Sequence, residues 1–553
     1  MSKHVVIIGG VAGGASCAAR LRRLDEQCRI TVLERGPFVS FANCGLPYYV
    51  GDVITEQAKL VLANTDLFRN RFNIDVLLHH EAVQIDPAAR KVSVRHTATG
   101  DTIELAYDAL VLSPGAAPVR PPLPGIDLEG IFQVRTIPDS ERIKEWIKQR
   151  GARSAVVVGG GFIGVEMAEN LLHRGLEVTL VEMLPQIMPN LDPEFAWPLQ
   201  QRLEEHGAKF ALGDAVAGFE SHEGSLQVMT KNGARHRGDL VILGLGVRPE
   251  TRLAREAGLQ IGPTGGIAVD EHMRTSDAHI WAVGDAAQVH NVVTGQPQLL
   301  ALAGPANRQG RVAADNIAGR PAVFRGVQGT SIIGVFGLAV AGTGCSETAL
   351  RRAGITDYEK VYLHPLNHVG YYPGATPLHL KVLFRRSDGR LLGAQAFGEA
   401  DVARRIDVLA AFLQKGGTMA DLAEAELCYA PQFGAAKDPV NFAGMIAGNV
   451  LDESMPVANW DELPPEGFLL DVRDPDEFAQ GHLPGSVNIP LPQLRQDPSA
   501  LPKDRPILIY CQVGQRGYYA VRYLRQHGYD ARNVPGGFVT LETTQAATRE
   551  ASA

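Results

Sequence analysis

A chain of 553 residues has room for three or four domains, each with its own core. With 45% hydrophobic and 21% charged residues it has the composition of an ordinary globular protein, and a net charge of −8 argues against general nucleic-acid binding. No apolar run of about 18 residues occurs, the chain enters a strand at once (His4-Val5-Val6-Ile7-Ile8), and the six cysteines include no CxxC. The expectation is therefore a cytoplasmic protein in a reducing compartment, without membrane span, signal peptide, disulfide framework or metal site.

Residues 4–34 read as strand, glycine-rich turn, helix, strand and acid. In Gly9-Gly10-Val11-Ala12-Gly13-Gly14, Gly9 and Gly14 fill the first and third positions of G-x-G-x-x-G. Val11 stands at the second, where backbone must approach a pyrophosphate, and Gly10 and Gly13 loosen the turn. Glu34 lies where an acid binds a ribose hydroxyl.

Residues 155–182 repeat the unit in full: Gly159, Gly161 and Gly164 occupy all three positions, and the following strand ends at Glu182. No arginine occurs in the ten residues after Glu182, which favours NADH over NADPH. Two such units imply two dinucleotides side by side.

Two further stretches fit a flavin. Asp108 to Gly115 is a buried strand ending in a turn, with Ser113 and Gly115 at its end. Ile280 to Ala287 runs from a strand into Gly284-Asp285, where a carboxylate can accept from ribityl hydroxyls. With these four motifs in this order, residues 1–447 resemble the two-dinucleotide flavoprotein disulfide reductase family. The resemblance implies an α/β fold: two Rossmann-like domains for FAD and NADH, with the FAD domain (1–116 and 246–325) split around the NADH domain (117–245). It also implies an α+β dimerisation domain over 326–447 that makes a homodimer. Strand-like runs at Ser331–Phe336, Leu378–Phe384 and Leu391–Phe397 and helices near 401–415 and 435–447 fit the last. Residues 448–457 read as a linker.

Ser40-Phe41-Ala42-Asn43-Cys44-Gly45-Leu46-Pro47-Tyr48-Tyr49 holds one cysteine with no second cysteine near it. Pro47 opens a helix, so Cys44 is expected beside helix-starting N–H groups that favour a thiolate. The stretch resembles the single-cysteine branch of the family, most closely the coenzyme A disulfide reductase type. Water-forming NADH oxidase is a rival. NADH peroxidase is disfavoured, because no histidine occurs between residues 5 and 78. Ser16, Arg20 and Arg23 share one helix face, and two guanidiniums suit a 3′-phosphorylated ADP. By resemblance, Ser40 and Asn43 would hold the pantetheine arm and Lys437 would contact coenzyme A. Tyr371 and Tyr429 would reach the substrate sulfur from a partner subunit. Arg71 is one position out of register with the family's basic residue.

Residues 458–553 resemble a rhodanese domain. The strand Ile507-Leu508-Ile509-Tyr510 delivers Cys511-Gln512-Val513-Gly514-Gln515-Arg516, the form C-x-x-G-x-R of a sulfur-carrying loop. Loop N–H groups would stabilise a thiolate or persulfide on Cys511, and Arg516 would offer a fixed positive charge to an anionic sulfur donor.

Cys17, Cys28, Cys345 and Cys428 are assigned to packing, His482 to a turn, Trp281 to the core, and Met183 and Met188 to the surface. The resulting expectation is an enzyme that passes electrons from NADH through FAD to a sulfur–sulfur bond on Cys44. Its substrate would be a persulfide, polysulfide or coenzyme A persulfide, with coenzyme A as bound cofactor or substrate. Coenzyme A disulfide reduction, sulfurtransfer with accessory reduction, and a docking role for the tail are the alternatives.

Overall fold

The computed structural model describes residues 3–222 and 224–550. The chain forms two compact units, Met1–Met183 with Gly207–Val327, and Leu184–His206 with Gln328–Ala553.

The first unit holds two five-stranded parallel sheets. One has the order Ile280–Ala282, Ala109–Leu112, His4–Ile8, Arg29–Glu34, Asp75–Leu78. Its central strand is covered on both faces, and Val5, Val6 and Ile7 are wholly buried. The other has the order Lys209–Ala211, Glu177–Val181, Ser154–Val158, Leu240–Leu243, Ile131–Phe132. In each sheet the central strand feeds a glycine turn and a helix, Ala12–Leu24 or Phe162–His173. The second sheet is built by sequence inserted between strands of the first, and Ala116–Pro118 pairs antiparallel with Val247–Pro249 where the chain leaves and returns. Arg22, only 3% exposed, closes the end of helix Ala12–Leu24. Its guanidinium donates to the carbonyls of Asp25, Glu26, Cys28, Phe72 and Asn73.

The second unit contains an antiparallel sheet, ordered Ser331–Val335, Leu338–Gly344, Leu391–Gly398, Leu378–Phe384, Glu359–Leu363. Helices Val402–Gln414, Met419–Glu424 and Pro439–Leu451 accompany it. The last starts on a capping box: Asp438 accepts from Val440 N at 3.1 Å and Asn441 accepts from Asp438 N at 3.2 Å. A parallel sheet of the tail follows, ordered Val487–Asn488, Phe468–Asp471, Ile507–Tyr510, Ala531–Asn533. The stretch expected as a linker is tied down. Its first residues extend helix Pro439–Leu451, and Met455 is 3% exposed in the core of the tail. Met188 is also a correction: it is buried, while Met183 is exposed. No helix among the described residues is long and apolar enough to cross a membrane.

Candidate active site

Motifs far apart in the first unit's sequence meet in one cleft of about 270 Å³. Its walls include Gly9 and Val11 to Gly13 of the first turn, Glu34, Asn43 and Cys44, Ser113 to Gly115, Arg135, and Gly284 with Asp285. Close approach fixes the glycines. Gly9 has φ +95°, and a Cβ there would lie 2.0 Å from the Ser113 carbonyl oxygen; one on Gly14 would lie 1.9 Å from that of Gly9. Val11 does not block the turn, since it is the residue preceding the helix and itself lines the cleft.

The second turn has the same construction. A Cβ on Gly159 (φ +105°) would meet Gly244 O at 2.4 Å and one on Gly164 would meet Gly159 O at 1.8 Å, whereas Gly161 faces open space. The acids at the strand ends brace these turns: Gly10 N donates to Glu34 Oε2 at 3.1 Å and Gly160 N donates to Glu182 Oε2 at 2.6 Å. Backbone-lined turns at helix starts, each beside an acid, fit two dinucleotides, with Gly9, Gly10, Gly13, Gly14, Glu34, Ser113, Gly115, Gly284 and Asp285 around one and Gly159, Gly161, Gly164 and Glu182 around the other.

Arg135, which sequence reasoning missed, stands 3.5 Å from Asp285. Burial raises the Asp285 carboxyl above its ordinary value, and Arg135 opposes that rise. Arg135 also accepts Asn43 Nδ2 on its carbonyl at 3.2 Å.

Cys44 lies in the single turn Asn43–Gly45, just ahead of helix Leu46–Val50 with Pro47 in its first turn. Ser40, with φ +48°, donates its N–H to Gly10 O at 2.8 Å and so ties this loop to the first glycine turn. Cys44 is exposed. A backbone N–H favours the thiolate as expected, but desolvation of the sulfur and then the Glu166 carboxylate push the thiol up, and Asp285 adds to this. Glu166 itself is raised to about 7 by burial and by Glu169, while a hydrogen bond with Tyr48 pulls it down.

The residues expected to meet coenzyme A are differently engaged. Ser16 Oγ donates to Asn307 Oδ1 at 2.5 Å, and Arg20 pairs with Asp315 at 2.6 Å. Arg23 and Arg71 are exposed, as is Lys437 in the second unit. Tyr371 and Tyr429, also in the second unit, share a hydrogen bond at 3.0 Å, and Tyr371 is 74% exposed. With Tyr372 and Phe433 they leave aromatic surface open to a partner.

In the tail, Cys511 follows its strand directly and is 0% exposed. Gly514, φ +92°, donates its N–H to Cys511 Sγ at 3.2 Å. From behind, Phe538 N donates to Cys511 O at 2.8 Å, and Gly537 leaves no room for a Cβ, which would lie 2.3 Å from that oxygen. The fixed positive charge expected of Arg516 is held in an ion pair: its guanidinium donates to both oxygens of Glu477, at 2.6 and 2.7 Å. Arg473, 2% exposed, is likewise held by Asp471 and by Gln512 Oε1 at 3.0 Å. His482 behaves as a turn residue, bonding the Phe478 carbonyl at 3.1 Å. Elsewhere in this unit Asp192, Glu194 and Glu347 converge in the manner of a cation site, and Lys381 Nζ fills it at 2.8, 2.7 and 2.5 Å.

Comparison with known proteins gives a consistent picture. Residues 3–310 match the pyridine nucleotide-disulphide oxidoreductase model, 330–438 the dimerisation domain of pyridine nucleotide-disulphide oxidoreductases, and 457–543 the rhodanese-like domain. The structure of reduced CoADR-RHD from Bacillus anthracis is 44% identical, covers 99% of each chain and superposes with a TM-score of 0.96. The structure of an NAD-dependent persulfide reductase from A. fulgidus is 37% identical, with 97% of this chain and 99% of that one covered and a TM-score of 0.90. A coenzyme A disulfide reductase of Staphylococcus epidermidis is 34% identical over 441 residues, 80% of this chain and 98% of the relative.

Proposed function

Since the chain belongs to the pyridine nucleotide-disulphide oxidoreductase family and is an NAD(P)H-dependent flavoprotein oxidoreductase acting on sulfur substrates, we propose that it is an NADH:persulfide or polysulfide oxidoreductase. In this reading sulfane sulfur is reduced at Cys44 and carried on Cys511. The family binds FAD and NAD(P)H; the two glycine turns would hold them, and FAD would relay electrons from the nicotinamide to sulfur. Glu182 is the basis for choosing NADH.

The observation that carries the substrate assignment is the Gly514 N–H, which points at the Cys511 sulfur from 3.2 Å. A loop N–H so placed stabilises an anionic terminal sulfur. The Staphylococcus relative supports coenzyme A disulfide as a rival substrate, but it is almost fully covered by 441 residues, which leaves a stretch the length of the tail unmatched. Coenzyme A persulfide joins the two readings, with Ser40, Asn43 and Arg23 near one end of the carrier. Tyr371 and Tyr429 of the partner subunit in a homodimer would act on the sulfur.

Purified protein should consume NADH faster with coenzyme A persulfide than with coenzyme A disulfide and should release sulfide. Cys44→Ser should abolish that release, and Cys511→Ser should reduce sulfur-fed turnover while sparing NADH-to-dye activity. Faster turnover of the disulfide, with no sulfide from the persulfide, would return the protein to the rival reading.

A further inference from the structure

Two arginines and three carboxylates surround the Cys511 loop, and every one of them is paired. Arg473 Nη2 meets Asp471 Oδ2 at 2.8 Å, both groups being buried. Arg516 meets Glu477 at 2.6 Å and Asp474 at 3.3 Å. Two positive charges against three negative ones leave a balance of one negative charge before Cys511 ionises. His482, in the same segment, stacks on Phe478 with ring centroids 3.8 Å apart.

We propose that Glu477 is a positioning residue which holds Arg516 in an ion pair and thereby sets the Cys511 site against dianionic sulfur donors such as thiosulfate, in favour of persulfides with one charge or none. The proposal rests on the carrier role given to Cys511 above.

Both donors deliver the same atom. The Cys511 thiolate attacks the outer sulfur of thiosulfate, the S–S bond breaks, and sulfite leaves with the electron pair. With a persulfide RSSH the thiolate attacks the terminal sulfur, the S–S bond breaks, and the leaving RS− thiolate takes the persulfide proton to give RSH. Cys511 ends as the same persulfide anion in both cases. The donors differ in the charge brought to the loop, and a second negative charge costs more where the local balance is already negative.

Glu477 also accepts Asp474 N at 3.0 Å as the third residue of a capping box, a task glutamine performs as well. The side chains of Arg516 and Glu477 keep 29% and 31% exposure, so their pairing contributes little to folding. Glu477→Gln therefore removes the closer of the two charges that hold Arg516, leaving Asp474 at 3.3 Å, while keeping the cap.

The test uses the full-length chain and follows addition of one sulfur atom to the Cys511 peptide by mass, from thiosulfate and from 2-hydroxyethyl persulfide. The unmodified protein should load faster from the persulfide. Glu477→Gln should raise the thiosulfate rate about tenfold, mainly through a lower half-saturating concentration, and change the persulfide rate less than about twofold. Adding Arg516→Gln should cancel the gain. Asp474→Asn, at an exposed carboxylate, should move thiosulfate the same way by less, which keeps the test open if Glu477→Gln folds poorly. A purely structural role would alter both donors alike. Equal loading from both donors by the unmodified chain, or no selective gain in these variants, overturns the selectivity and leaves the carrier role standing. No loading of Cys511 from either donor overturns the carrier role, and the selectivity with it.

Discussion

The Tyr48 hydroxyl and the Glu166 carboxyl are hydrogen-bonded, and this pair joins the cysteine-bearing helix start to the helix behind the second glycine turn. Burial raises Glu166 to about 7 and Tyr48 to about 12; the Glu166 charge adds to the rise of Tyr48, while Tyr48 pulls Glu166 down. The Glu166 charge is the largest contribution after burial to holding the Cys44 thiol protonated.

Replacing Glu166 with glutamine should therefore lower the pH at which Cys44 titrates. The rate of iodoacetamide alkylation of Cys44 against pH measures it. An unchanged profile would show that burial alone sets the thiol.

The two positions of the second glycine turn should separate stability from binding. Gly159→Ala places a Cβ 2.4 Å from Gly244 O at a left-handed φ, and should cost more than about 2 kcal/mol. Gly161→Ala meets no protein atom, so it should melt like the parent and raise the KM for NADH. Flavin content should stay constant in the second variant.

Lys381 is fully buried among its acids and neighbours. Lys381→Met would strand the carboxylates of Asp192 and Glu194 without a cation, while Glu347 keeps Lys360 at 3.1 Å, at a cost of about 3–5 kcal/mol. Thermal unfolding of the full chain, followed by near-ultraviolet circular dichroism, should show the loss as a lowered Tm.

His364 and His379 set an acid limit. Their Nδ1 atoms lie 2.7 Å apart, and His364 Nε2 bonds Thr540 Oγ1 at 2.8 Å. Burial lowers His364 to about 3 and His379 to about 4, so both are neutral in the fold. The unfolded chain takes up these protons below about pH 6.5, and the folded chain only near the lowered values. The stability is complete above about 6.5 and is lost as pH falls toward 4 and 3. His364→Gln with His379→Gln should flatten the fall in Tm between about pH 7 and 4.5, whatever its absolute value.

Much of this fold could be read along the chain, because its elements announce themselves locally. The glycines 9, 14, 159 and 164 sit where backbone meets backbone, and Leu378–Phe384 ends at the residues its apolar run dictates. The site was less legible wherever charge decides. The stretch around Cys44 shows its own N–H groups but not Glu166, and C-x-x-G-x-R shows Arg516 but not Glu477. Arg20 and Arg22 look alike on paper; one pairs with Asp315 and the other disappears beneath five carbonyls. Glu166, Glu477 and Asp315, like the Phe72 and Asn73 carbonyls over Arg22, are brought in by the fold from other elements, so no local pattern records them.

The complete enclosure of Cys511 has a kinetic meaning. In the proposed carrier role an atom of sulfur parked there would be shielded from dissolved oxidants and from stray thiols, so it would outlive the same group on an open side chain. The loop would have to yield before the cargo could be taken on or handed over, and the lifetime of the loaded form would be set by how often it does.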